Sequence, residues 1–589
     1  MNGTMMTMRA TRSQSDIRWE VLPQYRQALL GSDGLRLNDW LRSGQARAVK
    51  QGPHRTIYHV RLAALDFYVK HYPLPDLRAW LRQLVRPSKA RGEYQNALHV
   101  AGRGVPTFAP LGMGEQQTVW GPGESYLITR TLQDTEPLNT FLEVTWPQLS
   151  DGRRAYMALR LATTLGGLLA QMHDAGIYHT DLHAGNLLIR VSADDQPVLF
   201  LIDLHAVSVG SPLNWSTSRE NLVMLNRWFS LRVNRSDRLR FWQAYCRMRR
   251  NCPELERARD SSRTSHAQCL ALARDLEQRT CESNVGFWLR RDRRCLEDNR
   301  AYRRIRTGGI AGYAVTDLDG DVLQSLIADP DEPFRRTGVR LLKDSRSSTV
   351  AELDIVQNGV ARRAIYKRFC VTIWSDPWVA IVRPTAALRS WIAGQGLRER
   401  SVSTPRPLAV LHRVRGGMFQ EGYLLTEKID DALDLHGFLG LLDLLPPADR
   451  RRRLRQLIEL LAKVLRHLHR CRVSHRDLKA TNILVSCTGL GDLFQRAAAA
   501  ALHVWLIDLV GVTRNRRLRR PRRIQNLSRL HASFFQNTAV TRSDKLRFLR
   551  TYMQWGVFGK EGWKNWWRAI DRATRAKVAR NLRKGRPLK

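Results

Sequence analysis

Two short segments of this chain carry side chains in an order suited to phosphoryl transfer. His179-Thr180-Asp181-Leu182-His183-Ala184-Gly185-Asn186 recurs about half the chain later as His475-Arg476-Asp477-Leu478-Lys479-Ala480-Thr481-Asn482. An apolar run ending in a second aspartate follows each: Leu201-Ile202-Asp203-Leu204, then Leu506-Ile507-Asp508-Leu509. In His-x-Asp-Leu-x-x-x-Asn the aspartate can accept the proton of an attacking hydroxyl, and the asparagine can turn back to hold a metal ion. An aspartate at the end of a buried strand completes a metal site that bridges nucleotide phosphates. Asp181 and Asp477 are therefore the candidate bases. Asn186, Asp203, Asn482 and Asp508 are the candidate Mg2+ ligands, with ATP as the expected donor. His179 and His475 read as loop braces that take no part in the chemistry.

Such residues need elements to hold them, and those elements recur as well. Lys70 ends the strand-like run Leu65–Lys70 and Lys367 ends Ala364–Lys367, 111 and 110 residues before their aspartates. Gly104-Val105-Pro106-Thr107 answers to Ser401-Val402-Ser403-Thr404, and Tyr126–Thr129 to Tyr423–Thr426. Ordered landmarks over half a chain indicate duplication of one domain, not a solenoid of short repeats. Ahead of the second loop, Leu454, Leu457, Ile458, Leu461, Leu465 and Leu468 recur at helical spacing. Leu159, Leu161, Leu165, Leu168 and Leu169 precede the first, with Gly176 as the stop. Leu187–Ile189 and Ile483–Val485 read as short strands, as do Val198–Leu204 and Val504–Leu509. The two aspartates are 22 residues apart in one copy and 31 in the other. Cys487–Ala501 therefore reads as a surface insertion.

The halves are not equal. Glu93, 23 residues after Lys70, falls in a helical-looking stretch and can pair with the lysine to hold it against the phosphates. The same count from Lys367 reaches Ser390, and no acidic residue lies between Asp376 and Glu399. Lys70, Glu93 and Lys367 are thus the candidate nucleotide-binding residues, with an incomplete pair in the second half. Neither half has Gly-x-Gly-x-x-Gly; Val49–Thr56 and Lys343–Val350 are the candidate phosphate-covering turns.

These motifs resemble the lipopolysaccharide kinase group (Kdo and heptose kinases with their InaA-like relatives), a bacterial branch of the protein-kinase-like fold. Arg91-Gly92-Glu93-Tyr94 leading to Gly104-Val105-Pro106-Thr107, and Asp203-Leu204-His205 in place of Asp-Phe-Gly, carry the likeness over roughly residues 40–235 and 335–540. The resemblance implies an α+β chain of two tandem kinase-like modules, each with a small β-rich N-lobe and a mainly helical C-lobe. It also implies ATP-dependent phosphorylation of a sugar hydroxyl in the lipopolysaccharide core or a related envelope glycolipid. The corresponding division is an N-terminal extension (1–35), module one (36–250), a basic helical linker (251–335) and module two (336–589). Two alternatives stand beside it. Lys479, two residues after Asp477, suits a protein serine/threonine kinase, and the missing glutamate suits a pseudokinase scaffold in one or both halves.

Composition narrows the setting. The formal charge is +42, with concentrations at Arg450–Arg453 and between Arg514 and Arg523. Such a field attracts polyanions. An anionic glycolipid acceptor and peripheral contact with an anionic membrane rank first, nucleic acid lower. No run of eighteen apolar residues exists, and Met1–Ser15 lacks the apolar segment of a secretory signal. The expected location is the cytoplasm, at the inner face of the cytoplasmic membrane. Eight cysteines without Cys-x-x-Cys spacing read as reduced thiols. Trp288–Arg306, where arginines alternate with aromatics, reads as a helix docking one module on the other.

Overall fold

The computed structural model describes residues 17–585 apart from 53–54, 75, 119–120, 257–262, 358, 372–382, 488–501 and 555–561. The Cys487–Ala501 insertion and Pro53-His54 of the first covering turn therefore lie wholly or mostly outside the described residues. The chain divides into two units, 1–280 and 281–589.

In the first unit six antiparallel strands run in the order Ile17–Val21, Pro110–Thr118, Gly121–Arg130, Asp66–Tyr72, Thr56–Arg61, Ala46–Lys50. The lysine strand Asp66–Tyr72 alternates, burying Phe67 and Val69 while Lys70 stays partly accessible. Helix Lys89–Gly102 packs on this sheet; the Ser88 hydroxyl caps it by accepting from Arg91 N at 3.0 Å. Ile17–Val21 belongs to this sheet, so part of the expected N-terminal extension is small-lobe structure.

The helical lobe is built on Asp151–Asp174, which buries Leu161, Leu165, Leu168 and Leu169 with Trp215, Leu222 and Trp242 of later helices. Leu159, expected on that apolar face, is half exposed, since its place in the 3.6-residue period turns it outward. The helix stops as expected: Gly176 has a φ of 70°, and a Cβ there would run into the carbonyl of Gly210.

The second unit repeats the plan. Its sheet has seven strands: Tyr302–Thr307, Ile310–Val315, Pro407–Arg415, Met418–Glu427, Val360–Phe369, Ser348–Gln357, Arg340–Ser345. Helix Pro447–Arg470 buries all six of the expected apolar positions. The supposed linker is no separate element. Its first part belongs to the first unit, while Tyr302–Thr307 and Ile310–Val315 begin the second sheet. Helix Arg263–Arg291 ends before the Arg-rich stretch does, and residues 302–307 pair as a strand. The turn Gly308-Gly309, with φ of 55° and 75°, decides this by folding residues 302–307 back onto Ile310–Val315 as a hairpin. Asp292 is tied to the end of helix Ala386–Glu399 by the buried Arg400 guanidinium (2.7 and 2.9 Å).

The recurring turns have one job in both units. Thr107 Oγ1 donates to Leu201 O (2.7 Å), and Thr404 Oγ1 to Leu506 O (2.8 Å). Each threonine thereby fixes the strand that delivers the second aspartate.

Candidate functional site

Each loop is shaped by its own side chains. Strand Ile177–His179 pairs with Val207–Val209, and Val473–His475 with Val512–Arg514, so each loop leaves a two-stranded clip. His179 Nδ1 accepts from Asp181 N (3.2 Å), so Nε2 carries the proton and donates to Ile202 O (3.2 Å). His475 does the same with Asp477 N (3.3 Å) and Ile507 O (3.0 Å). Burial lowers the pKa of both imidazoles, which keeps them neutral. Asn186 Nδ2 donates to Asp181 O (2.8 Å) and Asn482 Nδ2 to Asp477 O (2.9 Å), closing each loop on its aspartate. Those bonds leave the amide oxygens available to a cation. The Asp181 side chain is 72% exposed, which suits the candidate base to meet a substrate hydroxyl.

Asp203 and Asp508 lie in left-handed backbone (φ 62° and 56°) immediately after buried strands. In the first unit Asp203 Oδ1 accepts from Arg55 Nη1 at 2.8 Å and from His205 Nδ1 at 2.9 Å. Burial opposes ionisation of Asp203, but the hydrogen bonds and charges of His205 and Arg55 outweigh it. Its carboxyl is held below the usual carboxylate range. Nearby, Lys70 Nζ meets Glu93 Oε1 at 2.5 Å, and Tyr72 OH donates to Glu93 Oε2 at 2.6 Å. Glu93 is fully buried, and these two bonds offset its desolvation. Lys70, Glu93, Tyr72, Arg55 and Asp203 are thus joined in one polar network, and Ile202 N, bonded to Asn186 O (3.0 Å), ties the residue before Asp203 to the loop that carries Asp181.

The second unit brings the counterparts together differently. Ser390 occupies the helix Ala386–Glu399 and its hydroxyl bonds back to Ala386 O (2.9 Å). Lys367 Nζ goes instead to Asp508 Oδ1 at 3.0 Å. Lys479 Nζ lies 3.9 Å from Asp477 Oδ2. Lys367 and Asp508 line a cleft of about 550 Å3 together with Val350, Ile365 and Leu424, a size that admits a nucleotide. Two residues, Arg346-Ser347, separate strand Arg340–Ser345 from Ser348–Gln357, where five residues, 51–55, separate Ala46–Lys50 from Thr56–Arg61.

Three positioning groups were not evident from the motifs. Asn96 Nδ2 donates to Leu204 O (2.8 Å) and Val207 O (2.9 Å), pinning the glutamate helix to the segment after Asp203. Buried Asn221 bonds both backbone ends of His179 (3.2 and 2.9 Å), and Asn526 accepts from His475 N (3.1 Å). A signal existed for the latter pair: each asparagine follows its candidate metal-binding aspartate, Asp203 or Asp508, by 18 residues.

A family model described as lipopolysaccharide kinase (Kdo/WaaP) family matches residues 39–245 and 339–552. Lipopolysaccharide core heptose(I) kinase WaaP of Pseudomonas aeruginosa is 29% identical over 168 residues, 28% of this chain and 59% of the relative. The 3-deoxy-D-manno-octulosonic acid kinase of Pasteurella multocida is 32% identical over 151 residues, 25% of this chain and 56% of the relative. The chain thus spans little more than half the length of these curated relatives. A solved structure, WaaP in complex with acyl carrier protein, aligns with 44% of this chain and 99% of its own at 20% identity and a TM-score of 0.32. With two matched segments that together exceed half its length, and a kinase-like α+β fold in each, the chain belongs to the lipopolysaccharide kinase (Kdo/WaaP) family.

Proposed function

We propose that the first module is an ATP-dependent phosphotransferase whose acceptor is a sugar hydroxyl of the lipopolysaccharide core or a related envelope glycolipid. The observation that carries this reading is the convergence of the Lys70–Glu93 pair, Asp203, Asn186 and the exposed Asp181. Asp181 takes the acceptor proton. Lys70, oriented by Glu93 and Tyr72, steadies the donor phosphates, and positioning of this kind is most of what such an enzyme contributes. Asn186 Oδ1 and the Asp203 carboxylate are hard oxygen donors and fit Mg2+, which completes its coordination with phosphate and water. Bound there, the ion would neutralise charge on the phosphates. Among the described residues no group of three or more His, Cys, Asp or Glu is placed to hold a metal. The acceptor class is supported by the names of the matched relatives. Transfer of labelled phosphate from ATP to core glycolipid, compared with total protein, tests it; label confined to protein would overturn it.

The second module is read as the weaker partner, because Lys367 is engaged with the aspartate that would bind the metal.

Work on such an acceptor belongs in the cytoplasm, at the inner face of the cytoplasmic membrane, in contact with an anionic leaflet. The +42 charge supports this, and so does helix Leu77–Val85. There Leu77, Leu81, Leu84 and Val85 are 69, 52, 51 and 86% exposed, while Gln83 Nε2 ties the helix to Gly123 O (3.1 Å). An apolar stripe on a strongly basic protein suits a headgroup interface better than a nucleic acid. Among the described residues no helix is long and apolar enough to cross a membrane. Co-sedimentation with anionic vesicles should weaken with salt and fall in a Leu81→Asp/Leu84→Asp variant. Equal binding to neutral vesicles, or a preference for nucleic acid, would overturn this part.

A further inference from the structure

Arg55 takes no part in the reaction as described above, yet it sits at the centre of the first module's polar wiring. It stands on the covering loop, next to strand Thr56–Arg61. In that strand Ile57 pairs with Lys70. Alternation along a strand puts residues 55, 57 and 59 on the face that carries Lys70 and Tyr72. From there its guanidinium reaches Asp203 Oδ1 at 2.8 Å and also neighbours Tyr72, the hydroxyl that holds Glu93. A continuous chain results: Lys70–Glu93–Tyr72–Arg55–Asp203.

We propose that Arg55 is a phosphate-binding arm that guards Asp203 and exchanges this carboxylate for the nucleotide's phosphates when cation and nucleotide bind together. The proposal rests on the phosphotransferase reading of the first module. A guanidinium keeps its charge at any relevant pH, so Arg55 and a divalent cation compete for one carboxylate. A polyphosphate gives Arg55 an alternative partner whose oxygens match its planar fork. The cation alone provides no such partner, and binding it at Asp203 would set two like charges against each other. Arg55 thereby discourages Asp203 from binding a bare ion while favouring the metal–nucleotide pair.

The second module shows what the arrangement is like without this arm. Ser348 pairs with Phe369, two residues after Lys367, and so stands where Arg55 stands opposite Tyr72. There the strand lysine itself takes the aspartate. With Arg55 on Asp203, Lys70 stays with Glu93, ready for phosphate.

The test is a pair of Mn2+ titrations read by electron paramagnetic resonance, on the full chain carrying Asp508→Asn in every sample to silence the second module. One is run with Mn2+ alone and one with a non-hydrolysable ATP analogue. Arg55→Ala should bind Mn2+ alone more tightly, by about fivefold, because a competing charge has gone. It should bind the Mn2+–nucleotide pair more weakly, by about tenfold, the size of one charge-assisted hydrogen bond. Arg55→Gln, which keeps much of the side-chain bulk, should give the same two opposite signs, and Arg55→Lys should fall between. A merely structural Arg55 would shift both affinities the same way, together with the melting temperature. Shifts of one sign, or none, would overturn the proposal. Failure of the Arg55 parent to bind the Mn2+–nucleotide pair would instead overturn the phosphotransferase reading on which it rests.

Discussion

The two modules share a scaffold and differ in how their charges are connected. Both use the His–backbone brace, the asparagine that closes the loop, the threonine that fixes the second strand, and a left-handed aspartate. In the first, Lys70 is held by a buried glutamate and Asp203 by an arginine. In the second, Lys367 and Asp508 hold each other. Three replacements account for this: Ser390 for Glu93, Phe369 for Tyr72 and Ser348 for Arg55. None disturbs the scaffold, because Ser390 satisfies its hydroxyl within its own helix turn and Phe369 lies near the Lys367 ammonium (4.7 Å). Fold and chemistry therefore rest on separable sets of residues.

The largest effect should come from the acidic residues of the first module. Asp203→Ala and Asp181→Asn should each lower phosphate transfer by roughly a thousandfold, the scale of losing a base or a preorganised charge. Circular dichroism should be unchanged, since neither side chain belongs to the apolar core. Asp508→Ala and Asp477→Asn should cost less than about fivefold on the same acceptor if positioning resides in the first module. Equal losses in both pairs, measured as kcat/KM, would show that the modules work as one unit and break the comparison.

A smaller effect should follow from the lysine clamp. Glu93→Gln leaves Lys70 a neutral partner and should reduce kcat by about 10- to 100-fold with only a minor change in nucleotide affinity. The reverse experiment sharpens the contrast. Ser390→Glu with Phe369→Tyr supplies the second module with both groups that hold Lys70 in the first. Lys367 should then leave Asp508, and a nucleotide-dependent thermal shift should grow when tested in an Asp203→Ala background. Ser390→Glu alone should destabilise, because a buried carboxylate with one partner remains poorly compensated.

Much of this was legible in the sequence, for identifiable reasons. Local motifs gave the loops, and a count of 23 residues gave Glu93, since a strand and a helix joined by a connection of fixed length keep their partners in register. The apolar period located the central helices, except at Leu159. Other features depended on partners far away in the chain. Arg55 reads as one arginine among many until Asp203, 148 residues on, is seen beside it. The strands at 302–315 form a hairpin closed by Gly308-Gly309, a local turn signal that the count of arginines and aromatics passed over, and Pro407–Arg415 then adds the second of them to the sheet. Asn221 and Asn526 follow other polar residues in their helices, Arg219-Glu220 and Gln525, so nothing local singles them out. Alignment of the two halves on Asp203 and Asp508, instead of on the loops, brings them into register despite the longer Asp477–Asp508 interval.

The smallest predicted effect concerns the shared scaffold, and it should appear equally in both modules. His173 Nδ1 accepts from Tyr245 OH (2.8 Å), and His469 Nδ1 from Tyr552 OH (2.6 Å). Both imidazoles are fully buried, and burial above all, with Arg249 or Arg523 nearby, pushes each pKa down to about 3. A depressed histidine pKa means that the unfolded chain binds the proton first, so stability must fall as pH drops below about 6.5. The loss continues towards pH 3, where the folded form can also be protonated. At pH 5 each histidine should cost about 2 kcal/mol relative to pH 8. The other histidines with lowered values, His179, His412, His467, His475 and His531, act in the same sense. Replacing His173 or His469 with Gln removes the titration but keeps a hydrogen-bonding side chain. Each variant should therefore start less stable at pH 8 and lose less on acidification, as read from urea midpoints at the two pH values. An unchanged slope in His173→Gln but a flattened one in His469→Gln would mean that the two scaffolds have diverged as far as their charges have.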